Sequence, residues 1–516
     1  MERKFNTAGP NKPEIHYTLP SLRRLPRVRE IVDDQGYFVL HAARQVGKTT
    51  SLRTLAQELT REGRYTALHV SAEVGSPFPD EVGKAERAIL SAWEGAALAQ
   101  LPPELLPGPW KAAEEGRQIG TALLHWARTS IRPVVLFVDE IDALQDETLI
   151  AVLRQLRDGY PSRPDSFPWS LALIGMRDVR DYKIGNTTLG RMGSSSPFNI
   201  KVESLTLRDF NREEVEELYG FHTAETGQVF GPGVFDRVFE LTRGQPWLVN
   251  ALARQLVEVL VPNRSQPVTL AEVDKAKELL IQRKDTHLDS LAERLREPRV
   301  RHIIEPMMAG TLLPEIPDDD QRFVIDLGLV RDTGEGALEI ANPIYKEVIP
   351  RVLTRGIQAS LGMVQPTWLR SDGQLDPDRL LEAFLEFWRE HGEALLRASP
   401  YHEVAPHLVM MAFLHRVANG GGHVHREYAI GMGRVDLLLT HGKTRMAIEI
   451  KVWSPGQKDP LAKGLIQLDS YLAGLGLQKG WLVLFDRRPD LEPACDRTTC
   501  ETVTSPGGRE VVLIRA

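Results

Sequence analysis

Cysteine is nearly absent from the 516 residues, with only Cys495 and Cys500 present. Two thiols cannot staple a fold, which excludes a disulfide-built scaffold and points to a reducing compartment. Their C-x4-C spacing has no nearby His or further Cys to complete a zinc set. Long apolar runs are missing too: none approaches 18 residues, and the polar start Met1-Glu2-Arg3-Lys4-Phe5-Asn6 leads into no apolar signal region. The expectation is a cytoplasmic protein with no membrane partner. Nor is there an excess of basic charge. Lys and Arg number 63 against 70 Asp and Glu, a net charge of −7. That argues against a chain that coats nucleic acid nonspecifically, so any DNA contact needs a local basic surface.

What is present begins with a phosphate-binding loop. The apolar run Tyr37-Phe38-Val39-Leu40 leads into Ala42-Ala43-Arg44-Gln45-Val46-Gly47-Lys48-Thr49-Thr50, and a helix-forming stretch follows from Ser51 to Leu59. Strand, loop and helix are the context such a loop requires. Its backbone N–H groups and helix N-terminus surround phosphates, Lys48 pairs with the β- and γ-phosphates, and the Thr49 hydroxyl ligates magnesium. The pattern GxxxxGK[ST] has glycine where this chain has Ala42, a methyl group at a position that often needs glycine's backbone freedom, which predicts weakened nucleotide binding.

A second run, Val134-Val135-Leu136-Phe137-Val138-Asp139-Glu140-Ile141-Asp142, reads as a buried parallel strand ending in acids. Asp139 is placed to hold magnesium and Glu140 to orient or deprotonate an attacking water. A third strand, Leu171 to Gly175, runs into Met176-Arg177-Asp178 and offers Arg177 as a sensor of the γ-phosphate or as a plain ion-pair partner of Asp178 or Asp181. An arginine supplied in trans within a homo-oligomer is compatible with the sequence, with Arg177, Arg180 and Arg191 as candidates.

The domain reading follows composition. Residues 1–20 are an extended lead-in; 21–205 alternate strand and helix as an α/β P-loop core with a parallel sheet, including a short strand near 199–203. Residues 206–290 read as a helical lid, whose third helix opens at Gly244-Gln245-Pro246-Trp247 either as a plain helix start or as a loop against the nucleotide. Residues 291–356 suggest a winged-helix-like module. Its candidate recognition helix carries Asp318, Asp319 and Asp320 and would be repelled by phosphates, so an intramolecular or protein–protein role is expected. Residues 357–375 are a linker and 376–516 a last α/β domain.

In that last domain Gly433-Arg434-Val435-Asp436 and Met446-Ala447-Ile448-Glu449-Ile450-Lys451 read as adjacent strands. Alternation puts Glu449 and Lys451 on one face. With Asp436 beside them, two hard oxygen donors and an ammonium meet the needs of phosphodiester hydrolysis with magnesium or manganese. A helix over 460–474 then brings Gln467 and Tyr471 one turn apart.

Asp, Glu-x-Lys and Gln-x-x-x-Tyr resemble the PD-(D/E)XK nuclease superfamily, particularly its RecB-like branch. Val435 stands where the family name has Pro. The resemblance implies catalytic roles for Asp436, Glu449 and Lys451, metal support from Gln467, substrate contact from Tyr471, and a further metal ligand on the preceding helix 402–417, for which Glu403 is the candidate beside His407 and His415. With Pro13-Glu14-Ile15-His16-Tyr17, Ser196-Pro197-Phe198-Asn199-Ile200 and the Gly-Gln-Pro-Trp segment, the whole chain resembles bacterial AAA-like ATPases, close to the archaeal-type ATPases of the STAND group, joined to a PD-(D/E)XK-type domain. That implies ATP binding or turnover controlling DNA processing, in defence or mobile-element control. Two alternatives stay open: a nucleotide-gated switch whose last domain binds nucleic acid or protein without cutting, and a transcriptional regulator acting through the winged helix.

Overall fold

The structure is a computed structural model. It describes all residues except 1, 177–199, 284–292, 296, 310–315, 335–336, 351–366, 371, 399–408, 415–421, 431–432, 454 and 489–491. The chain divides into two compact units, Met1–Asp285 with Pro317–Ile344, and Thr286–Ile316 with Tyr345–Ala516.

In the first unit, helix α1 (Val28–Asp33) precedes β1 (Tyr37–His41), α2 (Lys48–Arg61), β2 (Thr66–Ser71), α3 (Val82–Gln100), α4 (Gln118–Thr129), β3 (Val134–Asp139), α5 (Asp146–Gly159), β4 (Ser170–Gly175) and β5 (Glu203–Thr206). The sheet order is β2-β3-β4-β1-β5 and every pairing is parallel. Alternation along buried strands feeds two cores. Tyr37, Val39, Leu136 and Val138 pack with Trp93 and Trp126 on one face, whereas Phe38, Leu40, Val135 and Phe137 pack with Leu52 and Leu55 on the other. A parallel sheet covered on both faces delivers the ends of β1, β3 and β4 to one edge, where ligands bind in such folds. The short strand lies at Glu203–Thr206, later than the expected 199–203. It is an edge strand, only half-buried, so no apolar run marks it.

The segment expected as a lid is helical: α6 (Arg212–Thr226), α7 (Val234–Thr242), α8 (Pro246–Arg254), which continues as a π-helical turn over Gln255–Leu260, and α9 (Leu270–Arg283). Asn211 and Glu214 close a capping box at the start of α6. Pro246 occupies the first turn of α8, with the Gln245 side chain accepting from the Leu248 N–H. The extended lead-in is strapped along this lid: Phe5 packs on Tyr17, Tyr219 and His222, and the Trp247 indole donates to the Thr7 carbonyl.

The segment expected as one winged-helix-like module is divided between the units. Helix α10 (Pro298–Ala309) belongs with the second unit; α11 (Asp318–Asp326) and the antiparallel pair β6 (Val330–Asp332) and β7 (Leu338–Ile340) belong with the first. There His41 Nδ1 lies 3.5 Å from Asp326 Oδ1. A methyl added at Gly328 would meet the Ala43 Cβ at 2.7 Å. The acidic helix therefore sits against the end of β1 and the loop that follows it.

In the second unit, α12 (Pro377–Ala398) is followed by β8 (Gly422–Ile430), β9 (Gly433–His441), β10 (Thr444–Trp453), α13 (Leu461–Leu475), β11 (Lys479–Asp486), α14 (Ala494–Arg497), β12 (Thr499–Thr504) and β13 (Glu510–Arg515). The mixed sheet runs β12-β13-β11-β10-β9-β8, with β8, β9 and β10 antiparallel and β10, β11 and β13 parallel. Helix α13 is the crossover that parallel β10 and β11 require, and it packs Leu468, Tyr471 and Leu472 on Leu438, Ala447, Leu482 and Leu484. Within the expected linker, Trp368 is buried against Phe413 and Leu369 bridges to Leu375, so its later part is folded. Of the expected helix 402–417, residues 409–414 are helical and the rest lie outside the described residues.

Gly244, at the root of α8, tests the packing of the lid. Its φ is +81° and an added Cβ would lie 1.8 Å from the Phe210 carbonyl oxygen. Gly244→Ala is expected to destabilise the first unit by on the order of 3 kcal/mol, read as a lowered midpoint in thermal unfolding.

Candidate functional site

The loop after β1 bends at Gln45, with φ 59°, and at Gly47, with φ 103°; Ala42 is not among the positive-φ residues. The left-handed turns fall elsewhere in the loop, so the methyl group at position 42 fits, buried beside the end of β4 through Ala42 N–H to the Gly175 carbonyl. Gly47 caps α2, whose first residue is Lys48. The Lys48 ammonium donates back to the carbonyls of Ala42 (2.7 Å) and Ala43 (2.9 Å). Burial depresses its pKa below the usual range, against the attraction of Asp139, Asp142 and Glu140. An ammonium whose hydrogen bonds go only to carbonyls of its own loop is poised to accept an anion in exchange.

Thr49 stands one residue further, and its hydroxyl donates to Asp139 Oδ2 at 2.6 Å. Asp139 is the last residue of β3 and is buried. Its second oxygen accepts from the Glu140 N–H, and His69 Nε2 lies 3.1 Å from Oδ2. Burial works to raise the Asp139 carboxyl, but the bonds from His69, Thr49 and Glu140 outweigh it and hold the group below its usual range. A hydroxyl beside an ionised carboxylate fits the oxygen donors that magnesium takes near phosphates. Glu140 has φ 54°, a strained value for a side-chain-bearing residue at the mouth of a strand. Partial desolvation, then the charges of Asp139 and Asp142, push its carboxyl up. Asp142 accepts from the Met176 N–H, tying the ends of β3 and β4 together. Arg177, Arg180 and Arg191 lie outside the described residues.

His69 was not singled out by the sequence reading. Its signal was available: a lone imidazole within the otherwise buried run Thr66-Ala67-Leu68-His69-Val70 of β2.

Beside the loop is a cavity of about 120 Å³, lined by Gln45, Val46, Gly47 and Thr50 of the loop, Asn6 to Gly9 and Asn11 of the lead-in, and Pro246, Trp247 and Asn250 of the lid. Asn11 N–H donates to the Thr50 hydroxyl. Arg24, stacked over Phe210, donates to the Val46 and Arg208 carbonyls, and burial lowers its pKa to about 10. The Gly-Gln-Pro-Trp segment thus faces the phosphate loop.

Residues 30–182 match the family model described as an AAA domain. The chain carries an AAA-family P-loop ATPase domain. The AAA domain therefore binds ATP, and its span takes in both the lysine loop and the acidic end of β3. Among solved structures, a Walker-type ATPase of Pyrococcus abyssi is 15% identical, covering 67% of this chain and 99% of that one at a TM-score of 0.47. The Thermotoga maritima RuvB Holliday junction branch migration motor is 15% identical over 63% and 92%, at 0.34. The Aeropyrum pernix Orc1 protein in complex with DNA is 14% identical over 65% and 93%, at 0.34. No curated protein matches the chain.

The second unit holds a separate polar cluster, on the α13 face of its sheet. The ladder between β9 and β10 is paired as far as Leu437 and Ile448; beyond it the Asp436 carboxylate accepts from the Ile450 N–H at 2.8 Å. Glu449, buried, accepts from the Lys451 ammonium at 2.5 Å, and Lys451 Nζ lies 4.0 Å from Asp436. Glu449 Oε2 and Gln467 Oε1 are both buried and without a hydrogen-bond partner among the described residues. Burial, then the Asp436 charge, pushes the Glu449 carboxyl up to about 7 against the pull of Lys451. The Tyr471 ring belongs to the core beneath the sheet. Glu403 lies outside the described residues, and among those described no group of three or more His, Cys, Asp or Glu is placed to hold a metal. The cluster offers two carboxylates, one of them with a bare buried oxygen, Glu449 Oε2, a donor type that suits a cation completing its shell with water. Cys500 is a free, exposed thiol.

No helix among the described residues is long and apolar enough to cross a membrane.

Two measurements follow. Lys48 bonds only its own loop, so Lys48→Ala is expected to weaken ATP binding by about a hundredfold or more in titration calorimetry while leaving the unfolding midpoint nearly unchanged. The Glu449 carboxyl holds its proton more tightly folded than unfolded, so it erodes stability as pH rises from about 4.5 to about 7. Glu449→Gln should raise the unfolding midpoint of the second unit at pH 8 and leave it nearly unchanged at pH 4.

Proposed function

We propose that the chain is an ATP-hydrolysing AAA-like protein whose last domain, 376–516, is a magnesium- or manganese-dependent deoxyribonuclease controlled by nucleotide. The observation that carries the nuclease half is the buried, unpartnered Glu449 Oε2 on the sheet face that also carries Asp436 and Lys451, with a second unpartnered buried oxygen, Gln467 Oε1, on the helix packed against that face. Buried acceptors of this kind are costly unless something binds them, and a divalent cation is the partner that also offsets the repulsion between the two acids.

At the first site Thr49 and Asp139 would hold magnesium. Lys48 releases the Ala42 and Ala43 carbonyls to pair with phosphate, and Glu140, turned by its positive φ at the end of β3, orients the attacking water. The nucleoside end occupies the cavity between the lead-in, the loop and Trp247. Hydrolysis followed by departure of the inorganic phosphate then removes the γ-phosphate charge that Lys48 faces. At the second site Asp436 and Glu449 would hold the cation with Gln467 as a supporting acceptor; the bound metal supplies charge neutralisation at the scissile phosphate. Lys451 steadies the charge developing on phosphate or positions the water from the same face. Its ammonium is turned toward both acids, which favours cutting over a switch that binds without cutting. The packing of Asp326 and Gly328 on the end of β1 and on Ala43 supports an intramolecular role for the acidic helix rather than reading of a DNA groove.

The experiment is cleavage of plasmid and linear DNA by the full chain with magnesium or manganese, with and without ATP. Lys451→Ala is expected to abolish cleavage while preserving ATP hydrolysis, and Lys48→Ala to abolish the effect of ATP. Intact ATPase activity with no cleavage under any condition would sink the nuclease reading and leave the ATPase one standing.

A further inference from the structure

Beyond the acids and Lys451, the same strand carries a third residue toward the same side. Residues 449, 451 and 453 alternate onto one face of β10, so Trp453 extends the polar cluster along the strand. Several bonds fix it there. Its indole N–H donates to the Gln457 carbonyl at 3.0 Å, its backbone pairs with Asp486 of β11, and its carbonyl accepts from the Arg487 N–H. The Arg488 guanidinium lies over the indole with its carbon 3.7 Å from the ring centroid. Arg488 is in turn locked by a forked contact to the Asp486 carboxylate, at 2.6 Å and 3.1 Å, yet its side chain stays 40% exposed.

The result is a planar cation stacked on an aromatic ring, pinned on one side and open to solvent, at the end of the strand that bears Glu449 and Lys451. The acids nearby are engaged: Asp486 is taken by Arg488, and Asp459 by Arg515 at 3.1 Å, while Lys458 and Arg487 adjoin Gln457 and Arg488 in sequence. A guanidinium plane supported by an aromatic ring is a surface on which an unpaired nucleobase stacks, whereas bases within a duplex are already stacked and present no face.

We propose that Trp453 and Arg488 form a stacking platform for an unpaired base of a single DNA strand, which sets the strand's backbone beside Asp436, Glu449 and Lys451. This rests on the nuclease reading for its biological use, but the binding it asserts does not require cleavage. It assigns the substrate form: single-stranded DNA, or a duplex with a frayed or unpaired end, in preference to intact duplex.

The test uses the full chain and a fluorescein-labelled 20-residue oligothymidylate, alongside a blunt duplex of equal length, in EDTA so that the DNA stays intact. Anisotropy should give single-strand binding weakened about tenfold or more in Trp453→Ala and in Arg488→Ala, with duplex binding changed less than about threefold. Trp453→Phe, which keeps a ring, should stay within about threefold of the parent, and all three should keep the parental unfolding midpoint. Variants that bind both forms like the parent would overturn the platform, as would an equal loss on single strand and duplex, which is the mark of plain charge. A parent that binds neither form overturns it too. Parallel cleavage assays with manganese separate the two ideas. Cleavage with Trp453-independent binding removes the platform and keeps the nuclease; Trp453-dependent binding without cleavage does the reverse.

Discussion

The hydrogen bond from the Thr49 hydroxyl to Asp139 joins two segments 90 residues apart and fixes the edge on which the first unit's chemistry depends. It is possible because β1 and β3 are parallel strands of one sheet, buried on both faces, so the loop after one strand and the acids at the end of the other emerge together. Everything around the contact serves to hold it. His69 and the Glu140 N–H keep Asp139 ionised in spite of burial, Asp142 fastens β3 to β4, and Arg24 braces the loop from behind through the Val46 carbonyl. The Lys48 ammonium, meanwhile, is satisfied only by its own loop. The Thr49–Asp139 contact is thus bonded from several sides, whereas the Lys48 ammonium is bonded only within its own loop.

The second unit follows a different economy. Its acids lie where an antiparallel ladder ends, and Asp436 replaces a missing strand partner by accepting the Ile450 N–H. One carboxylate oxygen thus has a structural duty, and burial forces Glu449 into a compromise with Lys451. Like charges facing one another across strands oppose folding, and the sheet tolerates them because α13 and the strands beside them supply a dense apolar core.

Much of this was legible in the chain. The strand, loop and helix around Lys48 and the apolar run ending at Asp139 announced their placement because buried parallel strands are continuous apolar stretches. Glu449 and Lys451 announced theirs by the period of two. The reading was weaker wherever tertiary contacts decide. Ala42 looked like a handicap because the pattern was matched by position, while the backbone takes its left-handed turns at Gln45 and Gly47. The edge strand β5 was placed several residues too early because half-buried strands have no apolar signature. His69 went unread because its role exists only through a neighbour on the next strand. The stack of Arg488 on Trp453 joins the ends of two strands separated by a helix, a relation that no local spacing encodes.

The division of the chain has a practical meaning. Residues 317–344 pack with the first unit although the chain on both sides of them belongs to the second. A fragment stopped after the lid would therefore leave His41 without Asp326 and uncover Ala43, the residue whose carbonyl holds the nucleotide-loop lysine. A cut placed after Ile344 would keep that segment but strand α10 without the rest of its own unit. The first unit is thus not one continuous stretch of chain. Its folding is completed by chain made later, so during synthesis the nucleotide loop acquires its final neighbours only after α10 has already emerged.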